Sequence, residues 1–168
     1  AGYTGFSQSF AVASNIADGT LDAPASGLMG MGFQELSSSG TTPFWEVLVK
    51  ENKLQDNAFT FQLARNPNVQ TATQQSPGGV FTLGLIDSDQ YSGSINYIDI
   101  PSSIQSFGYW AIPLQSLQLN GGNSVSINAV AAIDTGTTLI AVPLDIASEI
   151  YSSIQGAQPF SQLGQGYY

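Results

Sequence analysis

The sequence predicts a mainly β fold with two short helices. Runs rich in Val, Ile, Phe, Tyr and Thr recur along the chain, and Gly, Pro, Asn or Asp separate them. Asn120-Gly121-Gly122 predicts a tight hairpin turn between the runs 117–119 and 125–127. The candidate strands are residues 6–13, 58–64, 79–86, 94–100, 109–119 and 129–142.

Helix signals occur at two places. Thr42 is a candidate N-cap, Pro43 suits the first helical position, and the helix is expected to run to about Asn52. A second helix should start near Pro143 and stop at Gly156. The apolar residues at helical spacing are Phe44, Val47 and Leu48 in the first helix, and Ile146, Ile150, Tyr151 and Ile154 in the second.

Composition excludes several kinds of function. Of the 168 residues, 42% are hydrophobic and only 9% are charged, and the net charge is −9. No basic patch is available for nucleic acid or an anionic membrane surface, and no apolar run is long enough to span a bilayer. The absence of His and Cys excludes Ser-His-Asp and Cys-His catalysis and zinc sites built on those residues. Carboxylate, hydroxyl and amide groups remain for chemistry.

A lone aspartate lies on a tight turn between two apolar runs in residues 132–143. Asp134 is followed by Thr135, Gly136 and Thr137, with β-type residues at 130–133 and 139–142. A catalytic carboxylate must be held rigidly, and we expect stiff flanking strands and loop hydroxyls to do this. An ordinary hairpin turn is the alternative, because Asp, Thr and Gly are common in turns.

Several segments resemble pepsin-like aspartic proteases, especially the fungal ones, in that family's order. Residues 26–33 resemble the family's Asp-Gly-Ile-Leu-Gly-Leu-Gly segment, and residues 42–48 resemble the helix that follows it. Residues 59–63 are similar to the next strand, and residues 79–95 resemble the Gly-Gly-Ile-Asp-Ser stretch. The Gly-Tyr-Trp at 108–110 is similar to the strand before the second Asp-Thr-Gly loop. The resemblance covers nearly the whole chain.

The resemblance implies part of a pepsin-like, bilobal acid protease fold. It makes residues 1–64 the back half of the N-terminal lobe, 65–78 the loop between the lobes, and 79–168 the front half of the C-terminal lobe. The family has two Asp-Thr-Gly loops and a flap hairpin, whereas this chain has one loop and no candidate flap. We therefore expect an internal fragment of an enzyme about twice this length.

The same resemblance implies the roles of the loop residues. Asp134 would be one catalytic carboxylate, with Thr135, Gly136 and Thr137 supporting the loop. The hydroxyl of Thr137 would tie the two loops of the enzyme together, although it also suits a simple strand-start position. Thr138 would hydrogen-bond the substrate backbone, as would Gly136.

Two apolar residues match positions that line side-chain pockets beside the scissile bond. These are Leu28 and Tyr109, and each suits an ordinary core position equally well. Asp87 and Asp89 lie in an Asp-Ser-Asp turn, which is weak evidence for calcium because no ligand-rich loop surrounds them. The resemblance implies no cofactor and no metal.

The implied activity is hydrolysis of peptide bonds in proteins at acid pH, by a water that an Asp dyad activates. Implied partners are a polypeptide substrate, pepstatin-like inhibitors and the remaining parts of its own two-lobed chain. The protein is expected to be secreted, or vacuolar, and this chain alone to be inactive and prone to associate. The alternatives are a non-catalytic pepsin-fold binding module or proteolytic remnant, and a homodimeric protease with one Asp per chain. The order of residues 28–30 before Asp134 argues against the homodimer.

Overall fold

A computed structural model describes residues 2–21, 23–65, 76–119, 122 and 124–159. The chain divides into two compact units, Ala1–Tyr97 and Ile98–Tyr168. In these residues, four strands pair as two antiparallel hairpins, one in each unit. The same described residues form three short α-helices and two 3₁₀ turns, where the sequence predicted two helices. The mainly β prediction is confirmed. The lobe boundary at 65–78 stays a prediction.

The first unit is built on helix α1 (Phe44–Lys50) and the hairpin of β1 (Phe59–Leu63) and β2 (Gly79–Leu83). Phe59 pairs with Leu83, and Leu63 pairs with Gly79. Strand β2 ends three residues before its predicted end because Gly84 has a φ of 78°, a left-handed conformation that favours glycine. The 3₁₀ turns are Gln34–Leu36 and Ser88–Gln90.

Aromatic rings join α1 to the hairpin. Trp45 lies 5.2 Å from Phe33 and 5.8 Å from Phe59, measured between ring centroids. Phe61 and Phe81 stack across the two strands at 4.9 Å. The indole N–H of Trp45 donates to the carbonyl of Gly32 at 3.0 Å, which satisfies the polar edge of a half-buried ring.

The start of α1 differs from the prediction by one residue. Pro43, not Thr42, is the N-cap, and no side chain caps the helix. The Thr42 hydroxyl donates instead to Oε1 of Gln34 at 2.9 Å, so it holds the preceding 3₁₀ turn against the helix start. The helix ends at Lys50, and Asn52 follows in a left-handed conformation with φ of 51°.

The second unit contains α2 (Ser102–Gln105), β3 (Ala111–Gln118), β4 (Ser124–Ala132) and α3 (Leu144–Ser152). The predicted pairing of 117–119 with 125–127 is confirmed, with Leu117 opposite Val125. The predicted turn residues Asn120 and Gly121 lie outside the described residues. A β-bulge interrupts the register opposite Leu114–Ser116, where Asn128 has a φ of 46°.

Helix α3 begins after Pro143 as expected but ends at Ser152, before the predicted stop at Gly156. Tight turns take over, because the amides of Ser153 and Ile154 donate to carbonyls three residues earlier. Ile154 therefore lies past the helix. In the part of the chain that the structure describes, no helix combines the length and the hydrophobicity that a bilayer crossing needs.

Three strand predictions were wrong in whole or in part. Residues 6–13, 94–100 and 133–142 form no strand, although the first two are rich in β-type residues. A strand needs a neighbour for its backbone groups, and none of the described residues pairs with these segments through a ladder. Most of the predicted loop between the lobes, residues 65–78, falls outside the described residues.

The core is small. Among the described residues, only Leu48, Ala111, Val125 and Ala147 are buried hydrophobic side chains, and Leu48 alone is fully buried.

Candidate active site

Asp134 lies directly beyond the end of the β3–β4 hairpin. Strand β4 ends at Ala132, which pairs with Ala111. The amide of Ile133 donates to the carbonyl of Trp110 at 2.8 Å, so one more backbone hydrogen bond anchors the chain just beyond the strand. Asp134 is therefore the first residue of a loop whose entry is fixed by backbone hydrogen bonds.

Both oxygens of the Asp134 carboxylate accept a hydrogen bond from the same loop. The amide of Gly136 donates to Oδ1 at 2.8 Å, and the hydroxyl of Thr137 donates to Oδ2 at 2.6 Å. A Cβ at position 136 would lie 3.1 Å from Oδ1, closer than most side chains allow. The glycine therefore lets the backbone approach the carboxylate, and the loop fixes the orientation of its own aspartate.

The Thr137 hydroxyl, and then the Gly136 amide, hold the pKa of Asp134 below its ordinary value, because both hydrogen bonds favour the ionised form. Burial acts in the opposite direction and is the smallest cause. Since the pKa is lower in the folded chain than in the unfolded one, the ionised form stabilises the fold above the unfolded pKa. That stabilisation is lost as the pH falls through the folded pKa.

The other threonines of the loop face solvent. The side chains of Thr135 and Thr138 are exposed, and neither hydroxyl makes a hydrogen bond to the described residues. They are therefore available to groups from outside this loop. The hydroxyl proton of Thr137 is already donated to Asp134. Its predicted role of tying two loops together stays a prediction, as do the roles of Thr135 and Thr138.

The two predicted pocket residues lie in different units. Tyr109 is exposed and precedes β3 by two residues. The register of β3 and β4, continued past Trp110 and Ile133, places Tyr109 opposite Asp134. Leu28 belongs to the Ala1–Tyr97 unit, where it is 78% exposed and lines a cavity of about 650 Å³. The pocket roles of Tyr109 and Leu28 both stay predictions.

The Asp-Ser-Asp turn at residues 87–89 has a structural role. Oδ1 of Asp87 accepts the amide of Asp89 at 3.0 Å, and Oδ2 accepts the side-chain amide of Gln90 at 3.3 Å. The carboxylate of Asp87 thus caps the 3₁₀ turn. Within the described ranges, no group of three or more His, Cys, Asp or Glu side chains is placed to hold a metal ion.

Sequence reasoning missed one contact that matters for the site. The hydrogen bond from Thr137 to Asp134 is local, since the two residues are three positions apart. The signal for it was present, because Asp followed by hydroxyl residues and glycine commonly closes such side-chain turns.

Comparison with known proteins places the chain in a family. The model for eukaryotic aspartyl proteases matches residues 1–166. The chain is 39% identical over 178 aligned residues to major aspartyl peptidase 1 of Cryptococcus neoformans var. grubii serotype A, covering all of this chain and 36% of that protein.

Vertebrate proteins match as well. Pepsin A of Bos taurus is 34% identical over 83% of this chain and 34% of its own length. Human cathepsin D is 31% identical over 81% of this chain and 31% of its own length. The chain thus spans about a third of the length of the curated relatives it matches. The two hairpins and short helices agree with a partial pepsin-like β fold. The chain belongs to the eukaryotic aspartyl protease family.

Proposed function

We propose that this chain is part of an aspartic endopeptidase, and that Asp134 is one of the two carboxylates that activate the attacking water. One observation carries the proposal. In a member of the aspartyl protease family, a solvent-accessible aspartate at the end of a paired strand has both oxygens oriented by its own loop. Such a group meets the first requirement of acid–base catalysis, a fixed position relative to the reacting atoms.

The reaction needs a second carboxylate, which we assign to a part of the enzyme outside these 168 residues. Two carboxylates close together cannot both ionise, so they share a proton and titrate as a pair. The ionised member removes a proton from water while the water oxygen attacks the peptide carbonyl. The protonated member donates to the carbonyl oxygen. Collapse of the resulting diol breaks the C–N bond, and the amine leaves with a proton from the dyad.

Residues around Asp134 supply the remaining functions. Thr138, with Gly136, would hydrogen-bond the substrate backbone, and the exposed hydroxyl of Thr138 suits this role. Tyr109, opposite Asp134 in the continued register, would contact a substrate side chain beside the scissile bond. Leu28 would line an apolar pocket for a substrate side chain. Thr137 would orient the Asp134 carboxylate, and its hydroxyl oxygen would accept a donor from the opposite loop.

The chemistry suggests where and with what the enzyme acts. An acid endopeptidase with a net charge of −9 and few bases suits a secreted or vacuolar setting, where low pH neutralises surface carboxylates. Its partners would be polypeptide substrates and pepstatin-like inhibitors. The remaining parts of its own two-lobed chain would complete the site. Expressed alone, this chain would be inactive because it holds one carboxylate of the pair.

The experiment compares Asp134→Asn with Asp145→Asn in the protein produced from its native gene. Asn keeps the shape of Asp134 and can accept the Gly136 amide, but it cannot act as an acid or a base. We expect the rate of peptide hydrolysis at acid pH to fall by a factor on the order of 10² to 10⁴. Asp145 is an exposed acid in the first turn of α3, so its variant should retain activity.

Two further readings complete the test. Inhibition of the native protein by pepstatin would support the aspartic mechanism. Activity of Asp134→Asn equal to that of the parent would refute the assignment of Asp134. Acid-dependent activity of the isolated 168-residue chain that falls on dilution would instead support a homodimer with one aspartate per chain.

A further inference from the structure

A β-bulge interrupts strand β4 a few residues before Asp134. On the turn side of the bulge, Ser116 pairs with Ser126. On the far side, Leu114 pairs with Ala129, so β3 has one residue between these two pairs and β4 has two. An extra residue in one strand bends that strand and increases its twist. The strand that leads to Asp134 therefore changes direction at this point.

The conformation of the bulge is set at Asn128. This residue has a φ of 46°, in the left-handed region that residues with a Cβ rarely adopt and that asparagine tolerates better than most. Its side chain is exposed, so burial does not explain the conformation. A residue held in this region indicates a local constraint, and bulges are frequent next to active sites, where they redirect a side chain.

The strand beyond the bulge is a rigid connection to the Asp134 loop. From Ala129 to Ala132, every residue of β4 pairs with a residue of β3. The amide of Ile133 extends the connection by its hydrogen bond to the carbonyl of Trp110 at 2.8 Å. This part of the strand therefore changes direction as one piece, and the loop moves with it.

The internal geometry of the loop does not depend on the bulge. The Asp134 carboxylate accepts its two hydrogen bonds from the Gly136 amide and the Thr137 hydroxyl, which are its near neighbours in the chain. A change in the bulge would leave these contacts in place. The bulge acts on where the carboxylate lies, and the loop acts on how the carboxylate is oriented within it.

The length of the connection makes Asp134 sensitive to the bend. From Asn128 to Asp134 the extended chain spans about 20 Å, at about 3.3 Å per residue. A change of about 10° in the direction of the strand would displace the carboxylate by about 3.5 Å. A displacement of about 1 Å in a reacting group can already lower the rate by a factor of about 10². A small loss of bend would therefore be large for catalysis.

We infer that the bulge at Asn128 aims the Asp134 loop at the second carboxylate of the proposed reaction, which makes Asn128 a positioning residue. Asn128 acts through its backbone, and its side chain takes no part in the reaction. This inference rests on the proposed catalytic role of Asp134.

Removal of the bulge tests the inference in the protein produced from its native gene. Deletion of Asn128 makes the ladder regular and leaves the present pairs of β3 and β4 intact. For a fluorogenic peptide that the parent protein cleaves at acid pH, we expect kcat to fall by a factor on the order of 10². KM should stay within about threefold of the parent value. Asn128→Gly keeps the left-handed conformation and should retain kcat.

A second route to a regular ladder decides the matter if the deletion prevents folding. One glycine inserted after Gln115 gives β3 the residue that it lacks opposite the bulge, and kcat should fall by a similar factor. Hydrogen exchange of the β3 and β4 amides, which are paired in the parent, shows whether each variant keeps the hairpin.

Each result has one meaning. A fall in kcat with a protected hairpin and an unchanged KM, together with a parent-like Asn128→Gly, supports the inference. A parent-like kcat in either regular-ladder variant overturns it, and an inactive Asp134→Asn in the same assay would show that the proposed catalysis still stands. An equal fall in Asn128→Gly overturns it, because the side chain would then carry the effect. Loss of hairpin protection in both regular-ladder variants also overturns it, because the bulge would then serve folding.

Discussion

Replacement of Leu48 by alanine should destabilise the protein strongly. Leu48 is 0% exposed and is the only fully buried large side chain among the described residues. The substitution removes the three outer carbon groups of the side chain, at about 0.8 kcal/mol each for transfer to water. The cavity left behind adds to this, and the expected loss of unfolding free energy is about 2–5 kcal/mol.

A change on the opposite face of the same helix provides the control. Lys50 has 59% of its side chain exposed and contacts Glu46 at 3.3 Å in an i,i+4 ion pair. Such a pair contributes about 0.3–0.5 kcal/mol, and alanine favours the helix slightly more than lysine does. Lys50→Ala should therefore change the unfolding free energy by less than about 0.5 kcal/mol.

The assay is urea unfolding of the protein produced from its native gene, followed by tryptophan fluorescence. Trp45 lies one turn before Leu48 in α1 and reports on the same packing. Leu48 is already fully buried within this unit, so the expected loss holds for a longer protein as well. A loss below about 1 kcal/mol for Leu48→Ala, or one equal to that of Lys50→Ala, would refute the packing of α1.

Three further outcomes follow from named contacts. Thr137→Val should raise the pKa of Asp134, whereas Thr137→Ser should leave it unchanged. An NMR titration of the Asp134 carboxyl carbon measures this pKa, and equal values in the two variants would contradict the hydrogen bond. Trp45→Phe removes the donor to Gly32 and keeps a ring, so it should cost about 1 kcal/mol in urea unfolding, and a neutral effect would count against this contact. At the bulge, Asn128→Gly should leave the unfolding free energy unchanged or raise it, whereas Asn128→Val should lower it by about 1–2 kcal/mol. A greater loss of unfolding free energy for Asn128→Gly than for Asn128→Val would exclude a left-handed conformation at this residue.

Local signals in the sequence predicted the elements that depend on neighbours in the chain. The hairpin of β3 and β4 was predicted because its strands lie either side of a short turn. The ends of helix α1 were predicted to within two residues, because its start signal and its apolar spacing lie within a few consecutive residues. Residues 6–13 and 94–100 carry equally strong β-type patterns but form no strand, because no described segment offers their backbone a partner. Pattern alone does not reveal whether a strand's partner is present.

The candidate site also contains features that the sequence predicts and features that it does not. Two predicted features depend on a few consecutive residues: the position of Asp134 after a strand, and the approach of the Gly136 backbone to the Asp134 carboxylate. Tyr109 reaches the loop only through the register of β3 with β4, which pairs residues far apart in the chain. The contact from Thr137 to Asp134 required a choice between a partner inside the loop and one across a cleft, and the residues of this chain alone left that choice open.

The electrostatics of Asp134 are consistent with the second carboxylate of the proposed mechanism. Its pKa lies below the ordinary value because its own loop stabilises the charged form, and the carboxylate is open to water. A weaker base removes a proton from water less effectively, so these hydrogen bonds oppose general base catalysis by Asp134 alone. In the proposed mechanism, a nearby second carboxylate would raise one pKa of the pair and supply the proton that the carbonyl oxygen requires. The loop therefore fixes the geometry of the Asp134 carboxylate, and in that mechanism its reactivity would depend on the second carboxylate.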